Sequence, residues 1–192
     1  KDLNIIVLYG GEGGEREVSL RSGEAVHRAI LKCWDRTDLV DMQGLRLPES
    51  VRDDNTIIFP VLHGGFGEDG RLQDLLDKQG VIYAGSCARA SRNCINKSIT
   101  KDLALAAGLK VVPGFTFNPL DDVDIDSELK KLGDDIVVKP ADGGSIMGLD
   151  FIKGKKQIIN FLEKLPHGDW IIEKRIHGRE LSVGILNGKA LG

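Results

Sequence analysis

Ile5-Ile6-Val7-Leu8-Tyr9-Gly10-Gly11-Glu12-Gly13-Gly14-Glu15-Arg16-Glu17-Val18-Ser19 runs an apolar segment into a glycine cluster and then into a helical pattern. Ile5–Tyr9 shows no polar alternation, which marks a strand buried on both faces of a parallel sheet. Val18, Ala25, Val26, Ala29 and Ile30 continue at helical spacing as far as Leu31. Working outward, Leu39–Met42 and Thr56–Leu62 read as short strands. Leu72, Leu75 and Leu76 mark a helix that stops near Gly80, a favourable residue just past a helix end. Val81–Ala84 makes a fourth strand. Strands alternating with helices predict a doubly wound parallel α/β layer over about the first ninety residues. A further helix, Ile99–Ala107, is closed by Gly108.

Beyond Pro113 the pattern changes. Ile136–Lys139 and Met147–Lys153 read as strands joined across a glycine-rich turn, followed by a helix at Lys155–Leu165 and strands at Trp170–Lys174 and Leu181–Leu186. Hairpins with a helix on one face predict an α+β unit distinct from the first half. Asn187-Gly188 is a two-residue hairpin turn. The chain stops four residues after it, so the reading expects a longer polypeptide of which this is a part.

Composition narrows the function classes. The 192 residues carry 26 Lys and Arg against 29 Asp and Glu, a net charge of −3, with 41 % hydrophobic residues. That balance offers no general attraction for nucleic acid or anionic lipid, so neither partner is expected. Cys33, Cys87 and Cys94 form no Cys-x-x-Cys pair and the four histidines have no ligand spacing, so no metal centre or disulfide framework is predicted. The apolar start is too short for a signal peptide or membrane span. A cytoplasmic setting is expected. The outlier is glycine: 24 residues, nearly twice the ordinary share of roughly 7 %, with eleven of them gathered in three clusters.

The first cluster, Gly10 to Gly14, sits where a dinucleotide turn would, with Asp41 near the spacing of a ribose partner. The third glycine of that fingerprint falls on Arg16, however, and Glu12, Glu15 and Glu17 would repel a pyrophosphate. A carboxylate there suits an ammonium group; equally, acids in a first helical turn complement the helix dipole. The second cluster, His63-Gly64-Gly65-Phe66-Gly67-Glu68-Asp69-Gly70, follows the third strand. Loops at the carboxyl ends of parallel strands form ligand crevices, so these two loops are expected to face one another. His63 either contacts an anionic substrate group or fixes its loop. The third, Lys139-Pro140-Ala141-Asp142-Gly143-Gly144-Ser145-Ile146-Met147-Gly148, offers free amides, a hydroxyl and a lysine to a phosphate chain. It is also readable as a generous hairpin loop. Lys153-Gly154-Lys155-Lys156 reads as a solvated turn.

Taken together and in this order, the segments resemble the D-alanine–D-alanine ligase family of the ATP-grasp superfamily. Those that carry the resemblance are Gly10-Gly11 with Glu15-Arg16-Glu17-Val18-Ser19-Leu20, His63-Gly64-Gly65 with Gly67-Glu68-Asp69-Gly70, Tyr83-x-Gly85-Ser86, Asn96-Lys97 and Lys101. Val138-Lys139-Pro140, Gly144-Ser145-x-x-Gly148 and Glu173-Lys174 leading to Glu180 continue it across the whole chain. The resemblance implies a substrate domain at 1–94 that precedes the ATP-grasp unit and an incomplete ATP-grasp central lobe at 95–192. It implies ATP-dependent joining of two D-alanines through an acyl phosphate, for peptidoglycan precursors. Glu15 would bind the ammonium of the first D-alanine, His63 would approach its carboxylate, and Ser145 would organise the substrate site. Lys97 and Lys139 would meet the phosphates with Gly144 and Ser145, Glu173 and Lys174 would line the adenine pocket, and Glu180 would hold the ribose. A homodimer is also implied.

Three departures stand out. Asn96 replaces the family's usual Asp, Ile146 replaces the second loop serine, and the family's C-terminal part, with its magnesium ligands, is not among these residues. Residues 1–192 alone are therefore expected not to catalyse. Competing readings are a D-alanine–D-lactate ligase, a non-catalytic nucleotide- or ligand-binding fragment or paralogue, and a generic dinucleotide-binding domain.

Overall fold

The computed structural model describes residues 3–52, 55–144 and 148–191. The expected loop residues Ser145 and Ile146, and Met147 at the head of an expected strand, lie outside them. β1 (Asn4–Gly10), β2 (Thr37–Met42), β3 (Thr56–Pro60) and β4 (Ile82–Tyr83) form a parallel sheet in the order β2-β1-β3-β4. The order reverses between β1 and β3. Because parallel crossovers are right-handed, this reversal sends α1 (Arg16–Ile30) and α3 (Arg71–Lys78) to opposite faces. Ile6, Leu8, Met42 and Ile58 pack with Val51 and with Leu72 and Leu76 of α3, all fully buried. Tyr9 faces α1, where only a glycine lets helix and strand approach: a Cβ on Gly23 would lie 2.5 Å from that of Tyr9. The unbroken apolar run of β1 is thus covered on both sides. β3 ends at Pro60 rather than Leu62, although Val61 still donates its N–H to Leu8 O at 2.7 Å.

α2 (Gly65–Glu68), α4 (Ala88–Ile95) and α5 (Lys97–Ala106) lead towards a second, antiparallel sheet. It consists of β5 (Gly114–Phe117), β6 (Asp135–Pro140), β7 (Asp150–Lys153) and β8 (Trp170–Lys174) in the order β5-β8-β6-β7. α6 (Ile125–Leu132) and α7 (Lys155–Leu162) flank a core of Phe117, Leu129, Leu132, Ile136, Val138, Ile158, Leu162 and Ile172. Side chains alternate along a strand, so Val137, Lys139, Ile171 and Glu173 belong to the other face.

The expected α/β layer followed by an α+β unit is present. α4, α6 and β5 were not anticipated, although Ile125, Leu129 and Leu132 carry helical spacing and Asp124 caps the helix by accepting from Ser127 N at 3.0 Å. Asn187-Gly188 does join a hairpin, β9 (Ile185–Leu186) with β10 (Lys189–Ala190), and Asn187 has the positive φ of 49° that such a turn requires. The expected strand Leu181–Leu186 shrinks to those two residues of β9. Leu181, Val183, Ile185 and Leu186 are exposed, so they find no core among the described residues. Among those residues no helix is long and apolar enough to cross a membrane.

Candidate active site at the sheet switch point

Between β1 and β3 the strand order reverses, and the loops leaving their carboxyl ends stand at the usual ligand position of such sheets. Ser19, fully buried in the first turns of α1, pins this end together. Its Oγ accepts from Gly10 N at 2.8 Å and donates to Val61 O at 2.6 Å. Arg16 binds Asp41 through two bonds, 2.9 and 2.5 Å, and also donates to Gly11 O at 3.0 Å. A Cβ on Gly10, whose φ is +81°, would lie 1.9 Å from Asp41 Oδ1, so only glycine admits this arrangement. Asp41 is therefore committed to Arg16, the residue that stands where a dinucleotide turn needs its third glycine. That disposes of the ribose-partner reading.

The same pair has a pH signature. The hydrogen bonds from Arg16, and behind them its charge, hold the Asp41 carboxyl below its ordinary value of 3.8. Below about pH 4 the unfolded chain consequently binds more protons than the fold, and stability present above that range is lost as pH falls through the depressed value. Thermal melts of the wild type are expected to drop more steeply between roughly pH 5 and 3 than those of Asp41→Asn. Parallel slopes would show that the pair contributes nothing.

Glu15 precedes α1, and its Oε2 lies 2.1 Å from where a Cβ on Gly64 would sit. The first and second glycine loops therefore meet, as expected, with the Glu15 carboxylate against the backbone beside His63. His63 Nδ1 lies 3.7 Å from Glu68 Oε1, while its Nε2 is covered and has no hydrogen-bond partner among the described residues. Glu68 in turn approaches the third loop, since a Cβ on Gly144 would lie 3.9 Å from Glu68 Oε2. Between these loops and α5 runs a cleft of about 620 Å³, lined in part by Asp69, Arg92, Asn96, Asp142 and Gly143.

Asn96 caps α5 by accepting from Ile99 N at 3.0 Å and donates from Nδ2 to Asp142 at 2.8 Å. An aspartate at position 96 would set two carboxylates against each other, so the amide suits the loop it faces. Lys97 donates its backbone N–H to Ala141 O at 2.8 Å and its Nζ to Gly143 O at 2.7 Å. Burial, and then the nearby Lys139 charge, lower the Lys97 pKa. Glu173 is a buried carboxylate in β8, with Lys101 on Oε1 and Lys139 on Oε2, each at 2.6 Å. Burial alone would raise the Glu173 pKa, but the hydrogen bonds and charges of the two lysines outweigh it and hold the carboxyl low.

A family model described as D-ala D-ala ligase N-terminus matches residues 37–86, and one described as D-ala D-ala ligase C-terminus matches residues 103–191. The chain belongs to the D-alanine–D-alanine ligase family. It is 37 % identical over 191 residues to the D-alanine–D-alanine ligase of Anaeromyxobacter sp., covering 98 % of this chain and 62 % of that one. It is likewise 37 % identical to that of Geobacter sulfurreducens, covering 100 % of this chain and 61 % of the relative. The D-alanine–D-alanine ligase of Bacillus anthracis superposes with a TM-score of 0.84 at 30 % identity, covering 98 % of this chain and 62 % of that one. The same ligase complexed with ATP gives 0.80 at 29 %, covering 98 % and 65 %. The chain thus spans less than two thirds of the length of these D-alanine–D-alanine ligases.

Of the residues singled out from the ligase resemblance, the fold brings Glu15 to the loop of His63, and Lys97 and Lys139 to the third loop with Gly144. Ser145 lies outside the described residues. Glu173 and Lys174 are neighbours in one strand, so their side chains leave opposite faces, and Lys174 could join Glu173 in one pocket only through its backbone; the Lys174 side chain is exposed. Glu180 is exposed in the irregular segment after β8. Lys101 belongs to the resemblance, which implies no role for it. It lies one helical turn from Lys97, a spacing that places both on one side of α5 and was legible beforehand. Among the described residues no cluster of three or more His, Cys, Asp or Glu can hold a metal ion. The described residues therefore do not fit a magnesium centre.

Proposed function

We propose that the protein containing this chain is an ATP-dependent ligase joining two D-alanines for peptidoglycan precursors in the bacterial cytoplasm. The observation that carries the reading is the charge layout around three glycine loops: a carboxylate, Glu15, on the substrate-loop side, and two ammonium groups, Lys97 and Lys139, at the third loop. An amino acid's ammonium suits the first, and a triphosphate suits the second. The carboxylate of the first D-alanine would take the γ-phosphoryl group of ATP, giving an acyl phosphate and ADP. The amine of the second would attack the acyl carbon, and phosphate would leave.

In this reading Glu15 binds the first ammonium, and His63 attends the carboxylate side, its covered Nε2 still without a partner among the described residues. Lys97, Lys139 and the amides around Gly144 and Ser145 carry the phosphates. Glu173 and the backbone of Lys174 border the adenine, Glu180 the ribose, and Ser145 orders the substrate site. Residues 1–94 form the substrate domain and 95–192 the ATP-grasp lobe. Magnesium, needed to neutralise charge in phosphoryl transfer, would be held by parts of the protein outside these residues, and the whole protein would form a homodimer.

The test is D-alanine-dependent release of ADP and formation of the dipeptide by the whole protein with ATP and magnesium. D-lactate and D-serine are offered as rival second substrates. Absence of D-alanine-dependent ATP consumption would remove the reading. Lys139→Ala is expected to weaken binding of a non-hydrolysable ATP analogue about tenfold while D-alanine recognition persists. Equal affinity would sink the phosphate role.

A further inference from the structure

Glu173 carries two lysines, and they are not held alike. Lys101 gives its ammonium to Glu173 Oε1 at 2.6 Å and to Val112 O at 2.6 Å, and its side chain is 18 % exposed. Lys139 meets Glu173 Oε2 at 2.6 Å and, among the described residues, no second acceptor; it is 24 % exposed, at the end of β6 beside the glycine loop. One lysine suffices to neutralise one carboxylate. The second is surplus positive charge stored next to the loop, and Lys97 opposes it.

We propose that Lys101 is a positioning residue: its charge stays on Glu173 when Lys139 leaves for a nucleotide phosphate, so Lys139 is released without stranding a buried carboxylate. The inference rests on the phosphate role proposed above for Lys139. Removing one partner of a buried ion pair is strongly unfavourable because the other charge is left uncompensated. With Lys101 in place, departure of Lys139 leaves a neutral pair. Without it, departure leaves a bare carboxylate on a side chain only 10 % exposed, so Lys139 remains bound and the nucleotide must compete for it. Apparent affinity then falls with the fraction of the binding-competent state.

The experiment is calorimetric titration of the whole ligase with a non-hydrolysable ATP analogue. Lys101→Met is expected to weaken binding about tenfold and Lys101→Arg less than about threefold. Because Glu173 is itself placed at the adenine, the loss is compared within each background: in Glu173→Gln, adding Lys101→Met is expected to cost less than about twofold, because nothing then detains Lys139. A merely structural role for Lys101 would cost as much in either background. Melts accompany each titration, and if Lys101→Met does not fold, Lys101→Gln keeps the donors without the charge and carries the same expectation.

Wild-type affinity in Lys101→Met, or an undiminished effect of Lys101→Met in the Glu173→Gln background of a folded protein, overturns the proposal while leaving the phosphate role of Lys139 standing. A wild type that binds no analogue, or a Lys139→Ala variant that binds normally, overturns the functional reading and this inference with it.

Discussion

Glu173→Ala is expected to destabilise the fold by about 3 kcal/mol, the low end of the range for breaking a buried ion pair from one side. The carboxylate sits between β5 and β6, with Gly114 and Val137 opposite it in the ladder, and two ammonium groups converge on it. Its loss leaves both lysines facing each other across a cavity, with Lys97 nearby. The low end applies because long lysine stems can turn their heads towards water. Glu173→Gln is expected to lose less, since it retains the shape and one acceptor oxygen. Urea unfolding of both variants measures the difference, and a loss below about 1 kcal/mol for alanine would show the triad to be no more than a surface salt bridge in effect.

In the whole ligase, Glu15→Gln is expected to weaken the first D-alanine site by roughly ten- to a hundredfold, the equivalent of ~1.5–3 kcal/mol for a charge-assisted hydrogen bond. Affinity for the ATP analogue is expected to stay within about threefold, because the nucleotide lysines belong to the other loop. Gln is nearly isosteric, so the close seat of this side chain against Gly64 is preserved and only its charge is removed. D-Alanine kinetics unchanged in this variant would leave the acid as a helix-dipole device and nothing more.

Much of this was legible beforehand. The unbroken apolar run Ile5–Tyr9 announced a strand covered on both sides, and β1 is buried between α1 and the core around α3. Asn187-Gly188 announced its hairpin. The acidic first loop argued against a pyrophosphate, and the bond between Arg16 and Asp41 shows why the dinucleotide fingerprint fails there. What misled was strand extent. Leu181–Leu186 has strand composition, yet composition forms a strand only where a partner offers its ladder, and just two residues found one.

By itself, the sequence determined the parallel layer, the α+β unit after it, the three glycine loops, and which residue types stand at each loop. Tertiary structure alone decided the order β2-β1-β3-β4, and with it the switch point where the first two loops meet. It also decided the pairing of charges: Lys101 finds Glu173 across 72 residues, and Arg16 finds Asp41 across 25. Periodicity reports which face of its own element a residue occupies, because that is local geometry. Which acid meets which base depends on strand order and register, and those are set by the packing of distant segments that no local pattern encodes.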